Sequence, residues 1–214
     1  MNRSFNGSRG LITVISGPSG SGKGTLIAGA MKRDGRLCYS VSATTREMRP
    51  GETEAVSYYF KTEEEFSRLI EQGEILEWDE FCGNRYGTLR QELSSRVEAG
   101  CDVILDLTVA GALAIKQAFP EDACTVFILP PSVEELENRI RGRRREGEEQ
   151  LRMRVARAEA EMACVDRFDY VLVNDDLNEA TDGLCAIIDA ERRKFIRNKD
   201  ILIRMNLKTK GELL

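Results

Sequence analysis

The chain contains no histidine among its 214 residues. That absence excludes Ser-His and Cys-His nucleophile schemes, and with them metal sites built on imidazole. The six cysteines, Cys38, Cys82, Cys101, Cys124, Cys164 and Cys185, form no C-x-x-C pair, so the spacing of zinc sites and redox dithiols is missing. They are expected to be reduced and mostly buried. No apolar run approaches the roughly 20 residues of a membrane helix. The polar start, Met1-Asn2-Arg3-Ser4-Phe5-Asn6-Gly7, lacks the apolar stretch of a signal peptide, so a cytoplasmic location without a membrane partner is expected. Positive charge is not in excess either: 31 Lys and Arg against 36 Asp and Glu leave a net charge of -5. This argues against a nucleic-acid partner, because affinity for a polyanion rests on surplus Lys and Arg. It leaves room for local basic clusters around a small anionic ligand. No protein partner is legible, and neither an internal repeat nor a low-complexity linker interrupts the chain.

What is present reads as an α/β domain. Leu11-Ile12-Thr13-Val14-Ile15 is a short β-branched run suited to a strand buried on both faces of a parallel sheet. Leu37–Ser42, Ile75–Phe81, Asp102–Leu107, Cys124–Leu129 and Tyr170–Val173 read as further strands. Helical patterns separate them: Thr25–Lys32, a segment opened by the capping box Thr62-Glu63-Glu64-Glu65 and stopped at Gly73, then Leu89–Ala99 and Ala110–Ala118. A second capping box, Ser132-Val133-Glu134-Glu135, opens another helix, and Glu148–Val165 and Leu177–Phe195 complete the set. Residues 43–61 read as irregular. Strands alternating with helices predict a doubly wound parallel sheet.

Between the first strand and first helix lies Gly17-Pro18-Ser19-Gly20-Ser21-Gly22-Lys23, followed by Gly24 and Thr25. The spacing G-x-x-x-x-G-K lets backbone N–H groups face phosphate oxygens at a helix N-terminus, and places a lysine to reach the β- and γ-phosphates. A Ser or Thr hydroxyl that would ligate Mg²⁺ is usual directly after the lysine. Gly24 occupies that place, so the metal is expected to depend on Thr25, Asp106 and water. The loop alone predicts phosphoryl transfer and leaves the acceptor open.

Three further motifs carry a resemblance. They are Ser40-Val41-Ser42-Ala43-Thr44-Thr45-Arg46 with Arg49-Pro50-Gly51-Glu52 and Tyr58; Ile75-Leu76-Glu77-Trp78 leading to Gly83-Asn84-Arg85-Tyr86-Gly87-Thr88; and Val173-Asn174-Asp175-Asp176-Leu177. Over about residues 10–195 the chain resembles the guanylate kinase family. The resemblance implies a P-loop kinase core (10–41 and 91–195), an inserted GMP-binding subdomain (42–90) and a helical lid (138–158). Tails at 1–9 and 196–214 would flank them. It implies ATP and GMP as ligands, with Mg²⁺ on the donor phosphates. Arg46 and Arg49 would clamp the acceptor phosphate together with Tyr58 and Tyr86, and Asp106 would sit close by. Glu77 would accept guanine N1–H and the exocyclic amine with its two oxygens, with Ser42 and Thr88 also at the base. Adenine would be rejected, because it offers an acceptor at N1. In the arginine-rich run from Arg139 to Arg145, Arg139 and Arg143, with Arg154 beyond it, would fold over ATP and spread the charge of the transferring group. Asn174 would lie near the adenine of ATP. The implied catalytic set is therefore Lys23, Arg46, Arg139, Arg143 and Arg154. dGMP is expected as a second acceptor. Two alternatives are another kinase on this scaffold, of the ribose bisphosphate kinase type, and a non-catalytic interaction module; retention of the phosphate loop and lid arginines speaks against the latter.

Overall fold

The computed structural model describes residues 9–143, 148–199, 201 and 205. In chain order the elements are β1 (Ile12–Ser16), α1 (Lys23–Arg33), β2 (Leu37–Tyr39), β3 (Ala43–Thr44), β4 (Tyr59–Phe60), α2 (Glu63–Glu71), β5 (Ile75–Phe81) and β6 (Asn84–Leu89). They continue with α3 (Arg90–Glu98), β7 (Asp102–Asp106), α4 (Val109–Ala118), β8 (Ala123–Leu129), α5 (Val133–Arg143), α6 (Glu148–Met162), β9 (Tyr170–Val173) and α7 (Leu177–Arg192).

Five strands form one parallel sheet in the order β2-β7-β1-β8-β9. Every residue of β1 is buried, as its unbroken apolar run requires of a central strand covered on both faces. The pleat divides its neighbourhood in two. Leu11 and Ile15 join Leu26, Ile27, Ala30, Leu184 and Ile188 of α1 and α7. Ile12 and Val14 point the other way, onto Leu93 and Val97 of α3 and Ala112 and Ile115 of α4. The sheet is therefore wound with helices on both faces, as predicted. From β1 the chain winds through β2 to β7 on one side, then crosses past β1 to β8 on the other, so the crevice at the C-terminal ends of β1 and β8 is where such folds bind ligands.

Of the second sheet, the sequence reading carries only the strand Ile75–Phe81, within the segment 42–90 that the resemblance implies as an insertion. Four strands in the order β4-β3-β6-β5 are built from residues 43–89, with β3 parallel to β4 and antiparallel to β6. Segment 43–61 is thus not wholly irregular, and the expected strand Leu37–Ser42 breaks after Tyr39. Its last residues cross from one sheet to the other. A two-residue turn at Cys82 and Gly83, both with positive φ (52° and 73°), joins β5 to β6. Phe66 of α2 packs with Ala43 and Ile75 beneath this sheet. The predicted capping box of α2 is complete, with Thr62 and Glu65 each bonded to the other's backbone amide. At the second box Ser132 accepts from the Glu135 amide at 3.0 Å, but the Glu135 carboxylate turns to Arg139 instead.

The cysteines depart from expectation. All six are free, but Cys124 alone is buried; Cys82 is exposed and the other four are half-buried. They sit at strand ends, turns and helix flanks, where a small apolar side chain is only partly covered.

Candidate active site

Immediately after β1 the chain turns through Gly17, Gly20 and Gly22, all at positive φ (138°, 96° and 90°). At Gly22 a side chain is excluded twice, by the left-handed backbone and because a Cβ would lie 2.3 Å from Asn174 Nδ2. Gly22 caps α1 without a side-chain bond, and the first turn of α1 carries no acidic residue. Its amides and partial positive charge are therefore available to an anion. Lys23 folds back over the loop, its Nζ donating to the carbonyls of Gly17 at 2.6 Å and Pro18 at 3.2 Å. Ser19, Gly24 and Thr25 are exposed at the surface of this turn, whereas Pro18, Gly20 and Ser21 are buried.

Helices α5 and α6, within which the expected lid falls, touch the loop and the end of β9. Leu136 and Ile140 of α5 pack with Leu151, Val155 and Ala158 of α6. Arg154 donates to Ser19 Oγ at 2.9 Å. Arg139 donates from Nε to Glu135 at 2.8 Å and from Nη1 to the Asn174 carbonyl at 3.2 Å. Asn174 in turn donates from Nδ2 to the Ser21 carbonyl at 2.7 Å, so it binds the end of β9, the loop and α5 together. Arg143 ends α5, but its side chain, like Arg144 and Arg145, lies outside the described residues.

Asp106 ends β7 directly opposite Ile15 of β1, beside the loop. Burial raises its pKa, and the nearby charge of Lys23 partly offsets the shift. From Asp106 a cavity of about 290 Å³ opens toward the second sheet, lined also by Ser42, Tyr58 and Tyr86. Four residues singled out from sequence therefore meet in one space. Tyr39, Ser40, Val56 and Ser57 line it too. Ser40 opens a quoted motif but was given no role, and the other three were missed because they carry no motif spacing of their own. Burial pushes the Tyr39 hydroxyl up to about 12, with Asp106 and Tyr58 as further causes, so it stays a neutral donor.

Arg46 stands beside this cavity. Its guanidinium forks onto Glu52 at 2.7 and 3.1 Å and stacks over Tyr58 at 5.3 Å and Phe60 at 5.8 Å. Tyr58 and Tyr86 meet edge to face at 5.9 Å, and the Glu52 carboxylate first, with Tyr86 after it, keeps the Arg46 cation firmly charged. Glu52 additionally accepts from the Arg49 amide at 2.8 Å, tying the two arginine positions to one carboxylate; the Arg49 residue is exposed and outside the cavity lining. Glu52 is thus the organiser of the clamp, which the sequence pattern quoted without a role.

Glu77 reaches the same face through a defect in pairing. Ile75 pairs with Leu89 but Glu77 pairs with Thr88, so one extra residue, Leu76, bulges from β5. Paired residues share a face, hence the bulge sends Glu77 away from Ile75 and onto the side of Thr88 and Tyr86. The Thr88 hydroxyl donates to Glu77 Oε1 at 2.5 Å. Burial raises the Glu77 pKa, opposed by the bonds from Thr88. A larger cavity of about 460 Å³, lined by Tyr59, Leu69, Glu92 and Arg96 among others, contains none of the predicted site residues.

A phosphate loop on a parallel sheet, facing a second sheet that carries an arginine–tyrosine cluster and a half-buried carboxylate, defines a P-loop phosphotransferase with an inserted acceptor-binding unit. Comparison with known proteins specifies which. The guanylate kinase family model matches residues 9–191. The curated guanylate kinase of Desulfitobacterium hafniense is 46% identical over 188 residues, covering 88% of this chain and 94% of the relative. That of Thermotoga maritima is 40% identical over 203 residues, 95% of this chain and 98% of the relative. The crystal structure of guanylate kinase from Anaplasma phagocytophilum matches with a TM-score of 0.71 at 34% identity, over 94% of this chain and 98% of that one. The chain belongs to the guanylate kinase family.

Proposed function

We infer that the protein is a guanylate kinase, transferring the γ-phosphoryl group of ATP to GMP to give GDP. The observation that carries the chemistry is the single cavity joining Asp106, in the field of Lys23, to Tyr58 and Tyr86 beside Arg46. Segment 42–90 acts as the acceptor subdomain and 138–158 as the lid.

The GMP phosphate binds Arg46, Arg49, Tyr58 and Tyr86, with Arg46 already fork-shaped toward a carboxylate and thus oriented for a phosphate of the same geometry. Guanine docks on Glu77, with Ser42 and Thr88 completing the base site. A phosphate dianion is nucleophilic as it stands, so no general base is needed, consistent with a chain that has no histidine. On the donor side the loop amides and Lys23 hold the ATP phosphates, Asn174 supports the loop from behind, and Arg139, Arg143 and Arg154 stabilise charge on the group in transfer. Lid closure keeps out water, which would otherwise compete as acceptor. dGMP is accepted as well, since no assigned residue needs the ribose hydroxyl.

Mg²⁺ fits the donor set offered. Thr25 and Asp106 provide oxygen ligands only, and among the described residues no group of three or more acidic or thiol side chains could cage a metal. A hard cation that keeps most of its shell from water and substrate phosphates suits such a site. When bound, it would neutralise charge on the donor phosphates. No helix among the described residues is long and apolar enough to cross a membrane. We place the enzyme in the cytoplasm, in keeping with its free cysteines.

The test is a steady-state assay with ATP against GMP, dGMP, AMP, CMP, UMP and ribose bisphosphate. GDP formation with GMP, and at least a hundredfold preference for it over AMP, is expected, as befits a site that hydrogen-bonds its base (roughly 10⁴-fold discrimination is attainable this way). Absence of GDP at millimolar GMP would overturn the assignment.

A further inference from the structure

We propose that Gly111 is a positioning residue that sets the specificity for guanine, by giving the Glu77 carboxylate the room and the backstop it needs. This rests on the reading of Glu77 as the base acceptor.

Glu77 is confined from both sides. Oε1 accepts the Thr88 hydroxyl at 2.5 Å. On the other side lies α4, and a Cβ built on Gly111 would stand 2.7 Å from Oε2, 3.2 Å from Cδ and 3.4 Å from Cγ. Gly111 is buried in the first turn of the helix, where its amide donates to the N-cap hydroxyl of Thr108 at 3.3 Å. Its backbone does not require glycine, since it is helical and its φ is not positive. The residue is small because the carboxylate passes there.

This geometry separates function from stability. Two carboxylate oxygens can meet guanine N1–H and its exocyclic amine together only if the head lies in one plane at one depth. A Cβ at 111 forces the head to retreat until the contact reaches roughly 3.5 Å. The atoms that must move are the far end of a flexible side chain, not backbone, so the fold survives. Alanine is also the better helix former at this place. The cost falls on guanine.

Gly111→Ala tests the idea, read as KM for GMP, KM for ATP, kcat and Tm. Losing well-aligned hydrogen bonds to a charged acceptor raises KM for GMP roughly 10- to 100-fold. KM for ATP should hold, Tm should not fall, and GMP-over-AMP preference should drop. In a Glu77→Ala background, Gly111→Ala should add nothing. Wild-type KM for GMP in Gly111→Ala would overturn the proposal, as would an equal loss with and without Glu77, or a fall in Tm that accounts for the lost activity. If Glu77→Ala itself leaves KM for GMP unchanged, the reading of Glu77 fails first. If Glu77→Ala loses GMP and Gly111→Ala does not, only the role of Gly111 falls.

Discussion

Arg154 of α6 donates to the hydroxyl of Ser19 in the phosphate loop at 2.9 Å, across 135 positions of sequence. The arginine proposed for the lid is therefore held against the loop proposed for the donor phosphates. The γ-phosphate would meet this guanidinium on arrival. Arg154→Ala should lower kcat about 100-fold or more, the scale of removing one preorganised charge donor, while leaving KM for GMP within a few-fold. An unchanged kcat in a steady-state assay would remove Arg154 from the transfer step.

Lys23 donates to the carbonyls of Gly17 and Pro18. These bonds run from a half-buried ammonium to a turn whose backbone is already set by its glycines, and contribute little to the fold. Lys23→Ala should reduce kcat/KM by roughly 10³-fold with Tm shifted by only about 2 °C. Circular dichroism melting and a coupled assay check the two halves separately.

Glu77 carries a charge in a place that disfavours it. An acid whose folded pKa is raised costs stability once pH rises through the window between its unfolded value, about 4.3, and its folded one. Glu77→Gln removes that cost, so the variant should be at least as stable as wild type at pH 7 while its KM for GMP rises about tenfold or more. The wild-type KM for GMP should likewise climb as pH is lowered toward the raised value. A KM for GMP that stays flat as pH falls through the ordinary glutamate range, about 4.3, would contradict an ionised Glu77 at the base.

At the opposite end of the sheet Arg192 gathers Asp34 at 2.5 Å, Asp102 at 2.7 Å and Asp189 at 3.1 Å. Asp34 is held well below the ordinary carboxylate range, by Arg36 first and Arg192 after it. Its contribution is present above about pH 4 and is lost as pH falls through the depressed folded value. Arg192→Met should cost about 3 kcal/mol at pH 7, because it takes the paired cation from Asp102 and leaves Asp34 to Arg36 alone. Guanidinium denaturation at pH 7 and pH 3 would show a smaller acid loss in the variant.

Legibility differed sharply between the two sheets. Strands buried on both faces, such as β1 and β8, announce themselves as unbroken apolar runs, and the caps of α2 and α7 are written in short side chains. Strands of two residues, β3 and β4, are too short to show a period, and β6 alternates polar residues that face the cavity. Individual site residues were readable where chemistry demands a type, as with Lys23, Arg46 and Glu77. Partners that act by holding them were not: Glu52 is an ordinary glutamate until its fork onto Arg46 is seen, and Gly111 an ordinary helical glycine. Tyr39 gave no signal because its role comes from where β2 stops.

The extra residue at Leu76 has a consequence for how this scaffold can change over generations. Glu77 keeps Thr88 as its pair whether or not residue 76 is present, so loss of that one codon would straighten β5 without exchanging the side chain that faces Thr88. Chain length around residue 76 can therefore drift while the face of the glutamate stays fixed, and a change in what this strand presents has to come by substitution at residue 77 itself.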